Sequence, residues 1–321
     1  MARKSKEDKM RDLYAEDDLR AAVTGVAPDH GTDGMRHSIR PRRALVAEPA
    51  RRSLQPETDP ATDTVIEHAA APIVAPTGIR YRPDSEMPRW QDLAHIEAGS
   101  RRNSETDLPV VDSERDSASV RAFDLLRTRL RQTTQEHGWV NIAVTAPTGG
   151  CGNTFTAVNL ALSLSRVQGS RTVLMDLNLR KPGVAKTFDV TPQGAMRDFM
   201  AGRTPIGDHM VKISDTLALG LNDASYADAA ETLQADETAH TLERMRAALQ
   251  PELVIYDMPP MLAYDDVSAF LPHLDGVLMV SDGTRTMARE LMECERMLEG
   301  QVPLLGVVLN RARANSIKHY A

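Results

Sequence analysis

The sequence predicts a three-layer, doubly wound α/β fold with a mainly parallel sheet, preceded by a long disordered tail. Three observations predict it. Short apolar, β-branched runs at 140–146, 172–177, 217–221, 253–256, 276–280 and 304–309 alternate with longer stretches, as strands buried on both faces of a parallel sheet do. Several of the intervening stretches, at 154–166, 237–249 and 286–298, repeat apolar residues at three- and four-residue spacing, the period of a helix with one buried face. The composition also changes near residue 115. Of nineteen prolines, ten lie at or before Pro109, among clustered charges and few aromatics, and such a stretch buries too little apolar surface to offset the entropy of ordering it. The chain therefore divides into a disordered or weakly ordered region over 1–115, one α/β domain over 116–315 and a short tail over 316–321.

A net charge of −7 gives no global basis for nucleic acid binding, because phosphate contacts need a basic face. The clusters Arg40, Arg42, Arg43 and Arg51, Arg52 read as solubilising charge in the tail. Cys151 and Cys294 stand far apart, without metal-ligand spacing, so a disulfide framework or zinc site is not expected and a reducing compartment is. The charged start is followed by no apolar segment, and no apolar run reaches the roughly 18 residues a membrane span needs. The expected location is cytoplasmic, peripheral at the inner membrane only through a partner.

In doubly wound sheets ligands bind at the carboxyl ends of the strands, so the loops after the apolar runs are where chemistry is expected. After the first run come Gly149, Gly150, Cys151, Gly152, Asn153 and Thr154, then a helix. Three glycines let consecutive backbone N–H groups curl around phosphate oxygens, and the helix N-terminus adds partial positive charge. Thr154 is placed to offer its hydroxyl to magnesium. Asn153 stands where such loops carry the lysine that reaches the β- and γ-phosphates. Loss of one donor to a charged transition state costs roughly 3–4 kcal/mol, so binding is expected to survive and fast phosphoryl transfer is not. The competing reading is a tight strand-to-helix turn. Cys151 is expected either as a small residue in an undemanding position or as an oxidisable thiolate among backbone N–H groups.

The second run ends in Asp176, followed by Asn178, Arg180, Lys181 and Pro182. A carboxylate there can hold a metal-bound water or accept a proton, or it simply caps a turn. The run at 253–256 leads to Asp257, from which a carboxylate reaches a magnesium shell. Pro259 and Pro260 then force the chain out of the sheet, and Asp266 returns toward the same strand ends, with Asp265 beside it as a solvated cap. The last run ends in Asn310 and Arg311. An amide there can read a base edge, with donor and acceptor on one side chain, or start a turn.

Together and in this order, these segments resemble the bacterial tyrosine kinases of capsule and exopolysaccharide biosynthesis, a branch of the P-loop NTPase-like class shared with the MinD and ParA partitioning ATPases. The resemblance covers about residues 119 to 311. Its most specific pieces are Asp-x-Asn-x-Arg-Lys-Pro at 176–182, Tyr-Asp-Met-Pro-Pro-Met-Leu at 256–262 with Asp266, and Val-Val-Leu-Asn-Arg at 307–311. The segment at 194–202 is similar to the helix after the family's second acidic motif, and 122–128 to its leading helix. The resemblance implies ATP and magnesium as cofactors, held by Gly149, Gly150, Cys151, Gly152, Asn153, Thr154, Arg180, Asn310 and Arg311. Thr154 and Asp257 would stand near the metal, with Asp176, Asp257 and Asp266 as catalytic acids.

This chain departs from the family at three places. Asn153 and Asn178 replace the lysine and the second aspartate of its phosphoryl-transfer centre. The leading helix has Arg121, Asp124 and Arg127 where the family has Glu, Arg and Arg, and such reversals turn attraction between subunits into repulsion. Tyr320, beside Lys318 and near Arg313, is all that matches the family's terminal tyrosine cluster. The implied function is a regulator of exopolysaccharide or capsule synthesis resembling a tyrosine autokinase with impaired phosphoryl transfer. The alternatives are an active kinase, with Lys181 replacing the missing lysine, and a ParA/MinD-type ATPase switch. The implied partners are a membrane-embedded chain-length regulator and a homo-oligomer.

Overall fold

The computed structural model describes residues 87–97 and 117–312. The arginine clusters over 40–52, the other residues of the region read as a tail apart from 87–97, and Arg313, Lys318 and Tyr320 lie outside the described residues. Eight strands build one sheet among the described residues: β1 (Ala94–His95), β2 (Asn141–Thr145), β3 (Thr172–Asp176), β4 (Met210–Ser214), β5 (Leu217–Gly220), β6 (Leu253–Asp257), β7 (Gly276–Asp282) and β8 (Leu304–Asn310). Their order is β1-β4-β5-β3-β6-β2-β7-β8. Every pair is parallel except β4 with β5. Six of these strands fall on the six apolar runs.

The helices are α1 (Ala118–His137), α2 (Asn153–Ser165), α3 (Val184–Phe188), α4 (Met196–Met200), α5 (Ile206–His209), α6 (Ala229–Gln234), α7 (Asp236–Leu249), α8 (Asp266–Phe270) and α9 (Ala288–Leu298). Sequence sets their ends. The Ser117 side chain accepts the Val120 N–H at the start of α1, and Gly138, left-handed at φ 69°, turns its N–H back to the Thr134 carbonyl at the end.

Alternation along the strands sorts side chains into two cores. Ile142, Val144, Leu174, Leu253 and Ile255 face α2 and the core containing Ala157, Leu160 and Leu164. Ala143, Val173, Met175, Val254 and Tyr256 face the opposite core, with Phe199, Leu242, Met245 and Phe270. The sheet is thus covered on both sides, and buried acids gather at its carboxyl edge, at Asp176, Asp257 and Asp282.

The sequence reading did not anticipate β1 or β4. Residues 87–97, within the region read as a tail, carry Trp90 and Leu93 into the core at 6% and 3% exposure. The Trp90 indole N–H donates to the Asp215 carbonyl at 2.8 Å, and β1 pairs with β4 through Ala94↔Val211 and His95↔Lys212. Lys212 interrupts the apolar pattern of β4 and is buried, its ammonium 3.5 Å from the Gln91 carbonyl. β1 depends on a partner about 120 residues away, which local periodicity cannot reveal, while β4 also forms a short hairpin with β5.

Candidate functional site

The loop after β2 is fixed from two sides. On one side the Thr145 hydroxyl donates to the Pro259 carbonyl at 2.6 Å, and the carbonyls of Ala146 and Pro147 accept the N–H groups of Met261 and Leu262 at 2.8 and 3.0 Å. On the other, Asn310 Nδ2 donates to the Cys151 carbonyl at 2.8 Å and Arg311 Nη1 to the Gly150 carbonyl at 2.7 Å. Gly150 and Gly152 are left-handed, at φ 84° and 94°. A Cβ on Gly152 would lie 2.3 Å from Asn310 Nδ2, so position 152 requires glycine for both backbone and space. The backbone N–H groups of Gly150, Cys151, Gly152 and Asn153 have no hydrogen-bond partner among the described residues, and they stand where α2 begins. A curl of free N–H groups at a helix N-terminus is an anion cradle.

Two acids lie beneath it. Asp176 and Asp257 face each other across β3 and β6, and both are fully buried. Asp257 Oδ2 accepts the Thr154 hydroxyl at 2.6 Å, and its Oδ1 accepts the Asn153 amide at 3.2 Å. Asn153 also donates to the Met258 carbonyl at 2.8 Å, so its side chain lies down onto β6. Asp176 Oδ2 accepts the Gly183 and Val184 N–H groups, each at 2.9 Å, while its Oδ1 is buried without a partner. A Cβ on Gly183 would stand 3.2 Å from Thr154 Cγ2. Thr154, Asp176 and Asp257 therefore meet in one place, as the sequence reading required.

The electrostatics follow from this burial. Burial pushes the Asp176 carboxyl up to about 7, opposed by the N–H groups of Val184, Gly183 and Asn178. Burial also holds Asp257 well above the usual carboxylate range, with the charge of Asp176 adding to it and the Thr154 and Asn153 hydrogen bonds opposing it. A buried acid titrating near neutrality can exchange a proton, or can replace it with a cation.

The remaining predicted residues brace the site. Arg180 grips Asp266 with three hydrogen bonds of 2.7–3.1 Å, donates to the Ala227 carbonyl and lies 4.5 Å over the Tyr264 ring. Asp266 is fully buried in this ion pair, and Asp265 beside it is the exposed residue preceding α8. Asn310, read as a base reader or the start of a turn, uses its amide on the loop, and its Oδ1 accepts the Arg311 N–H at 2.9 Å. Asn178 makes a turn, its Oδ1 accepting the Lys181 N–H at 3.2 Å. Cys151 is 2% exposed, with its sulfur 3.5 Å from the Thr286 hydroxyl, so the structure favours the undemanding small residue over an accessible thiolate. The reading missed Asp282, which is 1% exposed. It accepts the Thr284 N–H and hydroxyl and ion-pairs with Arg311 at 2.5 Å. Its β7 run was cut two residues short, at 280.

The residues present fit a phosphate chain and a divalent cation. The N–H curl suits the former. The orphaned Asp176 oxygen, the Asp257 carboxylate and the Thr154 hydroxyl suit the latter. No group of three His, Cys, Asp or Glu side chains is placed to hold a metal among the described residues.

A glycine loop joining a parallel strand to a helix, over acids on the neighbouring strand ends, defines the P-loop class of α/β proteins. No family model matches the chain. Among curated proteins it is 29% identical over 209 residues to the putative tyrosine-protein kinase EpsB of Ralstonia nicotianae (64% of this chain, 27% of that protein). It is 28% identical over 190 residues to the succinoglycan biosynthesis transport protein ExoP of Rhizobium meliloti (56% and 23%). The chain thus spans about a quarter of the length of these relatives. The solved kinase domain of the Escherichia coli tyrosine kinase ETK shares the fold, with a TM-score of 0.59 at 21% identity over 69% of this chain and 90% of that one. The chain is thus similar in sequence to proteins named for tyrosine kinases and exopolysaccharide transport, and it shares the P-loop fold of the ETK kinase domain. No helix among the described residues is long and apolar enough to cross a membrane.

Proposed function

We propose that the protein is a regulator of exopolysaccharide or capsule synthesis that binds ATP with magnesium in the glycine loop and transfers phosphoryl groups poorly or not at all. The observation that carries this reading is Asn153. Its side chain has no charge, is 7% exposed, and is hydrogen-bonded down onto Asp257 and Met258 on the acidic side of the loop. The backbone N–H groups of 150–153 and the start of α2 would hold the phosphates. Thr154, Asp257 and Asp176 would hold magnesium, which when bound neutralises phosphate charge. With no cation on its free oxygen, Asp176, raised to about 7 by burial, is the group able to accept a proton there. What the chain lacks is a preorganised cation for the charge that develops on the transferred group.

A second reading, an active tyrosine kinase, draws support from the convergence of Thr154, Asp176 and Asp257, which survives the loss of the lysine. The two readings part on labelled ATP with magnesium: the first expects no label on Tyr320, and a labelled Tyr320 establishes the second. Under the first, Asn153→Lys tightens ATP binding by roughly tenfold, the worth of one charged hydrogen bond, as measured by calorimetric titration. Unchanged affinity would remove Asn153 from the phosphate site. By family likeness, the proposed partner is a membrane-embedded chain-length regulator, which would bring the domain to the inner membrane from the cytoplasm; a co-purification with such a partner tests this.

A further inference from the structure

We infer that Arg285, on the loop between β7 and α9, supplies the positive charge to the phosphate chain of a bound nucleotide that Asn153 cannot. This rests on the nucleotide-binding reading above and adds a residue to it.

The placement is tight. Arg285 Nη1 lies 3.3 Å from where a Cβ on Gly150 would be, so the guanidinium reaches contact range of the glycine loop at Gly150. Its backbone is anchored. The Thr284 N–H and hydroxyl bond to Asp282 Oδ1 at 2.8 and 2.6 Å, the Arg285 N–H donates to the Asp282 carbonyl at 3.1 Å, and the Thr286 hydroxyl accepts the Asp282 N–H at 2.9 Å. The same hydroxyl lies 3.5 Å from the Cys151 sulfur. The β7–α9 loop is therefore held by its own bonds around Asp282 and meets the phosphate loop through Thr286 and Cys151, next to Arg285.

Charge distinguishes Arg285 from the other arginines of this rim. Arg180 is neutralised by Asp266 and Asp265, and Arg311 by Asp282. Arg285 is exposed and forms no hydrogen bond or ion pair through its side chain among the described residues. Lys181 is likewise exposed, but among the described residues its bonds run from its backbone N–H to the Asn178 carbonyl and side chain, and no contact brings it to the glycine loop. An unneutralised guanidinium held against a loop of free N–H groups is suited to a phosphate, which it can meet with paired donors.

The test is calorimetric titration of the full chain with magnesium, using ATP, inorganic triphosphate and adenosine in turn. Arg285→Ala is expected to weaken ATP and triphosphate by roughly tenfold and to leave adenosine unchanged. Arg285→Lys should recover part of the loss, and Lys186→Ala, removing an exposed cation on α3, should change nothing. Because Arg285 is exposed, the ligand-free melting temperature should stay put in all variants. Equal ATP affinity in wild type and Arg285→Ala overturns the inference alone, as does a loss confined to Lys181→Ala. A wild type that binds neither ATP nor triphosphate overturns this inference together with the nucleotide reading.

Discussion

Asp257 and Asp266 are both fully buried at the carboxyl edge of one sheet, yet their surroundings are opposite. Asp266 is gripped by the Arg180 guanidinium through both carboxylate oxygens. Asp257 has only an amide and a hydroxyl, and faces the second buried acid, Asp176. A buried carboxylate with a built-in cation is finished structure. A pair of carboxylates without one, with an oxygen left over, is a site whose counter-charge must arrive from outside as a proton or a metal ion.

Arg180→Ala breaks the comparison most severely, because it turns Asp266 into a second Asp257. Stripping one partner from a buried ion pair should destabilise the fold by about 3–4 kcal/mol, visible as a lower denaturant midpoint. Gly152→Ala attacks the loop that both acidic regions support. A Cβ there meets Asn310 at 2.3 Å with the backbone at φ 94°, so a cost of about 2–3 kcal/mol is expected, along with loss of any ATP-induced rise in melting temperature. An unchanged ATP shift would show that the loop does not cradle phosphate.

Asp257→Asn sharpens the contrast from the other side. An asparagine can keep the geometry, accepting from Asn153 and donating to Thr154, while it removes one of two facing charges. The ligand-free protein should gain about 1 kcal/mol at pH 8 even as magnesium-dependent nucleotide binding is lost. The pH dependence should follow Asp176. Its carboxyl is raised from 3.8 to about 7 in the folded protein, so between those values the folded state holds more protons than the unfolded one and stability falls as pH rises. Asp257→Asn should flatten that slope, and urea titrations at pH 5 and 7.5 measure it. A steeper slope in the variant would mean the two acids do not share a field.

The sequence carried a large part of the site. Gly152 and Thr154 showed themselves by spacing between a strand run and a helix run, and Asp176 and Asp257 by ending strands. Their convergence could be expected because parallel strands deliver their ends to one edge. The role of Asn310 was legible only in outline. An amide at a strand end looks the same whether it reads a base or holds the Cys151 carbonyl, and a contact across 159 residues decides which.

Local pattern by itself determined the layered α/β architecture and the position of the glycine loop, because alternation, helical period and glycine spacing are properties of neighbouring residues. It also determined that the loop lacks its cation, since residue 153 is an asparagine in any fold. Tertiary structure alone decided where that asparagine turns, which of the buried acids finds a guanidinium, that Trp90 and β1 complete the sheet edge, and that Arg285 reaches Gly150. Each of these is settled by groups far apart in the chain meeting in a dry interior or at a shared rim, where burial and charge, rather than sequence order, select the partner.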